Sequence, residues 1–316
     1  MLKQKTEYLR GICAAILIMV FTGISLAAET RTVETAFGEV TLEGTPERVV
    51  TTYEGALDTA IAVDVQPVGA IASRGGSQVA RYIEPRAEDP SIVGTVVETN
   101  LESIIALEPD IILASPRTSE AQHQSLSRIA PTVVPDTTSI ERDNWKRETR
   151  IFSRALNRGE AGEQVLTRVQ ERAEEVSALV ADVTPEDTPS AAVVRWMPQG
   201  ALFMAPNLFS PGLLQDLGFS VSGDDLVQQG RPHSDILSQE NLGLIDRDWL
   251  FLATLNEDGE QALEKAREAP AFERLEASRN DRIITVDGQL WSSTSGPIAA
   301  LTVLERVESA MKARQQ

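Results

Sequence analysis

Three arginines stand where this chain could hold an anion. Arg74 follows the apolar run "PVGAIAS", Arg117 follows "IILASP", and Arg195 closes "AAVV". Each lies at or just past the carboxyl end of a segment that reads as a β-strand. A guanidinium stays charged at any physiological pH. Its N–H groups form a planar fork that matches a carboxylate or phosphate. The alternative for each is a solvated surface arginine, and Arg195 is the case least like one, because an arginine ending an apolar strand wants a partner. Tyr53, just past the first strand, and Trp196, beside Arg195, could cover apolar parts of a ligand. Neighbours on a strand point to opposite faces, so only one of Arg195 and Trp196 is expected to face a shared site. Arg231, in the loop "QGRPHSD", is a weaker cation candidate.

Other chemistries find less support. There is no G-x-S-x-G elbow, no H-E-x-x-H pair and no Gly-rich phosphate loop; "SRGGS" is short and lacks the P-loop lysine. An enzyme is therefore not expected. The only histidines are His123 and His233, too few and too far apart for a zinc or manganese site, so no metal ligands are assigned.

The elements that must position the arginines come in two runs. Residues 31–44 alternate and turn at Phe37-Gly38, as a β-hairpin does. Strands at 49–52, 67–73, "SIVG" and "APTVVPD" then alternate with helices at 56–65, 101–107 and 120–129, and residues 74–91 form a long loop. Strand–helix alternation is the pattern of a largely parallel sheet. It stops at two helical blocks in 143–182. The second carries Val165, Val169, Ala173, Val176 and Leu179 at helical spacing and meets no proline until Pro185. Alternation resumes with a strand at 191–197, a helix in "SPGLLQDLGF", a helix at 258–277, a strand at 281–287 and a closing amphipathic helix.

One unit occurs in both runs. "NLESIIALEPDIILAS" (100–115) aligns with "SQENLGLIDRDWLFLA" (238–253), placing Glu102 on Glu240, Ile104 on Leu242, Leu107 on Ile245, Asp110 on Asp248 and Leu113 on Phe251. The expectation is an α/β chain of two lobes with largely parallel sheets, 28–155 and 188–316, bridged by one long α-helix within 156–187. Ligands of such sheets sit outside the carboxyl ends of the strands, which between two lobes is a cleft.

Lys3, Lys5 and Arg10 precede the apolar stretch 11–26, and Ser25-Leu26-Ala27 suits a signal peptidase. Residues 1–27 therefore read as a cleaved secretory leader; an uncleaved anchor is the alternative. The single cysteine, Cys13, lies inside that stretch without the pattern of a lipidated cysteine, so a soluble, non-lipoprotein, cysteine-free mature chain is expected. The net charge is −18, and removing residues 1–27, which carry +2, leaves −20. Such acidity argues against nucleic acid and anionic membrane as partners.

These pieces resemble a family. "TVETAFGEVTLEGTPERVV", "PVGAI", "VGTVVETNLESIIALEPDIILAS", "LSRIAPTVV", "VVRWMPQG", "GLLQDLGF", "LSQENLGLIDRDWLFLAT" and "DRIITVDGQLW" are similar, in order, to the class III periplasmic substrate-binding proteins of ABC importers. "VVRWMPQG" and "IAPTV" point to the ferric-siderophore branch. The resemblance implies a monomeric periplasmic protein with no cofactor, which takes an anionic ferric siderophore, citrate-like or catecholate-like, between its lobes and gives it to an inner-membrane permease. Haem, with Tyr53 or Tyr82 as axial ligand, and cobalamin are the alternatives within the class. The resemblance also implies that Glu102 and Glu240 dock onto permease arginines and that Trp291 lies near the cleft. Without it, both glutamates are first-turn residues after the N-cap candidates Asn100 and Ser238, contributing about 0.3–1 kcal/mol to a helix dipole. Hydroxamate-binding members carry an arginine where this chain has Val96, which speaks against a ligand held in that way.

Overall fold

A computed structural model describes residues 30–184, 188–223 and 225–315. The leader reading falls on residues outside these. The chain forms two α/β lobes. After an antiparallel hairpin, β1 (Thr30–Thr35) and β2 (Gly38–Glu43), the first lobe builds a five-stranded parallel sheet. Its strands are β3 (Val49–Thr51), β4 (Gly69–Ala72), β5 (Ser91–Thr95), β6 (Ile111–Leu113) and β7 (Thr132–Val133), in the order β5-β4-β3-β6-β7. The second lobe holds β8 (Ala191–Met197), β9 (Gly200–Phe203), β10 (Trp249–Thr254) and β11 (Ile283–Asp287) in the order β11-β10-β8-β9. All are parallel except β9, which turns back on β8.

Both sheets are covered on both faces, and the short strands are accordingly apolar on both. Val49, Ile111 and Leu113 pack with Phe152 and Leu156 on one side of the first sheet. Their neighbours Val50 and Ile112 pack with Ile104 and Leu126 on the other. On β8, Ala191 and Val193 join one cluster while Ala192, Val194 and Trp196 join another, the two-residue period of a strand.

Two departures from the sequence reading have local causes. β9 was not expected; it pairs back on β8 through Pro198-Gln199, with Gly200 at φ 135°. The helix expected over 258–277 is broken into Glu257–Arg267, Pro270–Glu273 and Glu276–Arg279. Pro270 cannot donate a helical hydrogen bond, and its ring disfavours helical geometry in the residue before it.

The repeated unit does the same work twice. Asp110 accepts hydrogen bonds from the backbone N–H of Glu47 (2.8 Å) and Arg48 (3.0 Å), which lead into β3, the neighbour of its own strand β6. Asp248 accepts from the backbone N–H of Ser190 (2.7 Å), which leads into β8, the neighbour of β10. Burial raises the Asp248 carboxyl, but the Ser190 hydroxyl and N–H outweigh it and hold the group below the usual range. Ile104 and Leu242 are both buried beneath their sheets. The first copy is a helix, Leu101–Ala106; the second, Gln239–Ile245, is a 3-10 turn, with Gly243 where the first has Ile105.

Two of the connections between the lobes are buried. The helix Gly159–Val183 is the long bridge: Leu166, Val169, Val176 and Val180 lie in the core of the second lobe, while Ala161 packs against that of the first. At Gly162 a β-carbon would collide with Ser153 on the preceding helix, so the close helix–helix approach there needs glycine. The second connection is Asp58, fully buried in the first lobe on helix Glu54–Ala62. Its carboxyl accepts from the backbone N–H of Ile298 (2.9 Å) and Ala299 (2.8 Å), the open N-terminus of the last helix, Pro297–Lys312, in the second. The Tyr82 hydroxyl donates to the same carboxyl (2.9 Å). Gly296, at φ 137°, has no room for a side chain against Asp58.

Burial raises the Asp58 carboxyl from 3.8 to about 7, against the N–H groups and Tyr82 that pull it down. Because the folded value lies above the unfolded one, this contribution to stability is complete below about pH 4 and is lost as pH rises through 7. Glu54, raised by burial to about 7, adds to the same trend. The thermal unfolding midpoint, followed by circular dichroism, is expected to be higher at pH 5 than at pH 8. Asp58→Asn should flatten that difference, and Asp58→Ala should cost about 2–4 kcal/mol, because two buried helix N–H groups lose their acceptor.

Candidate functional site

The carboxyl ends of the strands open onto a cavity of about 330 Å³ between the lobes, within the size range of ligand pockets. The first lobe supplies Tyr53 and Glu54 after β3, Arg74 after β4, Val96 after β5, and Ser115 to Arg117 after β6. The second supplies Arg195 on β8, the stretch Asn207–Ser210, His233, and residues 291–295 after β11.

Arg195 is the cation with the most structure behind it. The strand period that sends Trp196 into one apolar layer sends Arg195 to the other side, toward Ser292. Its Nε donates to Ser292 Oγ (2.9 Å), and a terminal nitrogen donates to the Ser292 carbonyl. These bonds hold the plane of the fork; its other donors have no protein partner among the described residues. Burial, with the nearby Arg74 guanidinium, pushes the Arg195 pKa down to about 10. The group is therefore still a cation at neutral pH. Among the described residues no carboxylate forms an ion pair with Arg74, Arg117 or Arg195.

The acids of the cavity floor do little to cancel this charge. Burial lifts Glu54 to about 7, although the Ser73 hydroxyl (2.6 Å) and Arg74 oppose it. Burial also raises Glu148, against hydrogen bonds from Thr137 (2.7 Å) and Tyr53 (3.0 Å). Arginines without an ion pair among the described residues, buried acids whose charged forms burial disfavours, and a rim of hydroxyls favour a ligand with several negative oxygens.

The cavity brings together five of the seven ligand residues expected from sequence: Tyr53, Arg74, Arg117, Arg195 and Trp291. Trp291 is only 2 % exposed and stacks on Phe251 at 4.9 Å, so it forms wall rather than a free flap. Two lie elsewhere. Trp196 is 3 % exposed and packs edge-on against Phe272 at 6.0 Å, on the far face of β8. Arg231 pairs with Asp235 (2.9 Å), four positions on in the same loop, and does not line the cavity. The Tyr53 hydroxyl is engaged by Glu148 and Ser295 (3.0 Å each), and that of Tyr82 by Asp58 and Thr294. Burial raises both phenols well above their ordinary value, which opposes a tyrosinate ligand.

Sequence reasoning missed Arg142, Trp145, Asn207 and the place of His233 in the wall. Arg142 reaches across to Asp216 in the other lobe, and Asn207 donates to the Ile140 carbonyl (2.6 Å) in the reverse sense. All but Trp145 lie outside the regular elements, where no periodicity marks a facing direction. Glu102 and Glu240 are exposed first-turn residues, and neither has an ion pair among the described residues.

Comparison with known proteins adds the following. A family model described as "Periplasmic binding protein" matches residues 49–290. The achromobactin-binding periplasmic protein of Dickeya dadantii (strain 3937) is 26% identical over 265 residues, 83% of this chain and 85% of that protein. The Fe(3+)-citrate-binding protein YfmC of Bacillus subtilis (strain 168) is 24% identical, over 87% of this chain and 84% of the relative. The crystal structure of Staphylococcus aureus SirA complexed with staphyloferrin B superimposes with a TM-score of 0.76 at 26% identity, covering 90% of this chain and 99% of that one.

The electrostatic reading has a direct check. A hydrogen bond to a charged group contributes about 1.5–3 kcal/mol, so Arg195→Ala and Arg74→Ala should each weaken a polycarboxylate probe such as ferric citrate by about 10- to 100-fold. Trp196→Phe, on the far face of the sheet, should leave the affinity within about twofold, all three read by tryptophan fluorescence titration.

Proposed function

This chain belongs to the periplasmic binding protein family, and from that premise we propose that it captures an anionic ferric siderophore between its lobes and delivers it to an ABC permease for iron uptake. The observation that carries the reading is the cluster of Arg74, Arg117 and Arg195, contributed by both lobes and held in no ion pair among the described residues. Only a ligand rich in negative oxygens offsets three fixed cations in a half-buried cleft. The names of the relatives point the same way: achromobactin, Fe(3+)-citrate and staphyloferrin B. Val96, where hydroxamate binders of this class carry an arginine, is an apolar wall residue here. A citrate-like or catecholate-like complex fits better.

In this reading Arg74, Arg117 and Arg195 offset the ligand charge, while Tyr53 and Trp291 form apolar wall. The lobes are 28–155 and 188–316. The protein is a monomer without cofactor, exported by a cleaved leader and soluble rather than lipid-anchored. Its family is one of substrate-binding proteins, not enzymes, and no helix among the described residues is long and apolar enough to cross a membrane. Asp58, the bridging helix and Arg142 tie the lobes together, so closure around the ligand is small. Glu102 and Glu240 present the loaded protein to arginines of the permease.

The test is a fluorescence titration of the mature protein with ferric citrate, a ferric catecholate, a ferric hydroxamate, haem and cobalamin. Submicromolar saturable binding of an anionic ferric chelate is expected, with none of haem or cobalamin; binding of only the latter two would overturn the site. In cells dependent on this gene, Glu102→Lys with Glu240→Lys should abolish uptake of the bound chelate while its Kd stays within about twofold of wild type.

A further inference from the structure

Among the described residues six large hydrophobic side chains are exposed, and five of them crowd the two glutamate-bearing segments. Val96, Val97 (87 % exposed) and Ile105 (56 %) flank Glu102; Ile236 (51 %) and Leu244 (48 %) flank Glu240. Ile105 follows Glu102 by three positions on an α-helix, which puts the two on one face, and Leu244 follows Glu240 by four on a 3-10 turn, one third of a turn round from it. Singly, such residues are unremarked on any surface; gathered at two matching places on a chain of net charge −18, they need a cause.

The strand registers place both patches at the mouth of the cleft. The first helix starts after β5, at the carboxyl edge of a wholly parallel sheet, and Val96 itself lines the cavity. In the second lobe, bridges pair Met204 with His233 and Ala201 with Leu237, so the chain runs back along β9 toward the carboxyl end of β8 before reaching Ser238. His233 lines the cavity and Glu240 follows just beyond. A partner that touched both patches would sit over the opening.

We propose that Val97 and Ile105 on one lobe, and Ile236 and Leu244 on the other, form two apolar contact pads that bind the outward face of the permease, each centred on its glutamate. The inference rests on the reading of Glu102 and Glu240 as docking residues and extends it. The glutamates, exposed and without an ion pair among the described residues, call for cationic partners. The apolar rim excludes water from those ion pairs, so that an otherwise weak surface contact holds. The matching surface on the permease is thus a basic side chain set in an apolar socket, twice. A lipid bilayer is a poorer occupant, since this acidic chain is repelled by anionic headgroups.

The test uses Ile105→Gln with Leu244→Gln, which keeps helix propensity and touches no cavity residue, beside Glu102→Lys with Glu240→Lys. Both double variants are assayed for unfolding midpoint, for Kd with the chelate that binds best in the titration, and for uptake of that chelate labelled with radioactive iron. The expected result is unchanged folding and Kd in both, with uptake by the Gln variant reduced at least tenfold. If the Gln variant transports as wild type while the Lys variant does not, the apolar pads are refuted and the glutamate reading stands. If neither variant impairs uptake, the glutamate reading itself fails and takes the pads with it. If the wild type, but not the Gln variant, binds phosphatidylcholine vesicles lacking permease, the apolar side chains serve lipid and the proposal is overturned.

Discussion

The carboxyl of Asp58 fixes the relation between the two lobes. It belongs to one lobe, yet it supplies the acceptors for the first N–H groups of the last helix of the other. A helix start buried without such acceptors would cost more than most single contacts contribute. Separating the lobes would expose that helix end and break the contact between the Tyr82 and Thr294 hydroxyls (3.2 Å) in one step. The bridging helix, the Arg81–Asp287 and Arg142–Asp216 pairs and the Tyr53–Ser295 bond join the lobes beside Asp58. With the lobes joined in this way, Arg74 and Arg117 of one and Arg195 of the other line a single cavity.

That shared cavity shows how a strongly acidic chain can present a cationic site. The acids nearest the arginines are buried, and burial disfavours their charged forms. The surface acids stand in high dielectric, where salt screens them. Arg195 is desolvated and pinned on Ser292, so its field is felt most strongly within the cleft. Net charge and site charge are thus separate quantities, and the first does not predict the second.

The legible part of this molecule was the part carried by periodicity and repetition. Alternation along "AAVVRWM" was enough to split Arg195 from Trp196, though not to say which one turned toward the cleft; the layers of the second sheet decide that. The repeated acid-led unit was visible, but its work was not. That Asp110 and Asp248 each accept from the lead-in to the adjacent parallel strand depends on strand order, which alignment does not contain. Asp58 was hidden for a similar reason: within "ALDTAIAV" it reads as one polar residue on an amphipathic helix, and its partners lie some 240 positions away. Arg142 and Asn207 lie in irregular segments, and Arg231 is taken up by Asp235, a pairing that loop sequence carries no periodicity to reveal.

The repeat also bears on how a one-way transfer is organised. Each copy runs from the carboxyl edge of its sheet, through the glutamate turn, to a buried strand stitched at its start by an aspartate. Because the strand is anchored at one end, the turn must emerge at the other, beside the cleft. Both glutamates thus stand at the rim of the ligand site rather than at a remote face. Any partner that meets both glutamates would therefore cover the opening of the cavity. The shared position of the two glutamate turns at the cavity mouth follows from building each lobe with the same strand polarity.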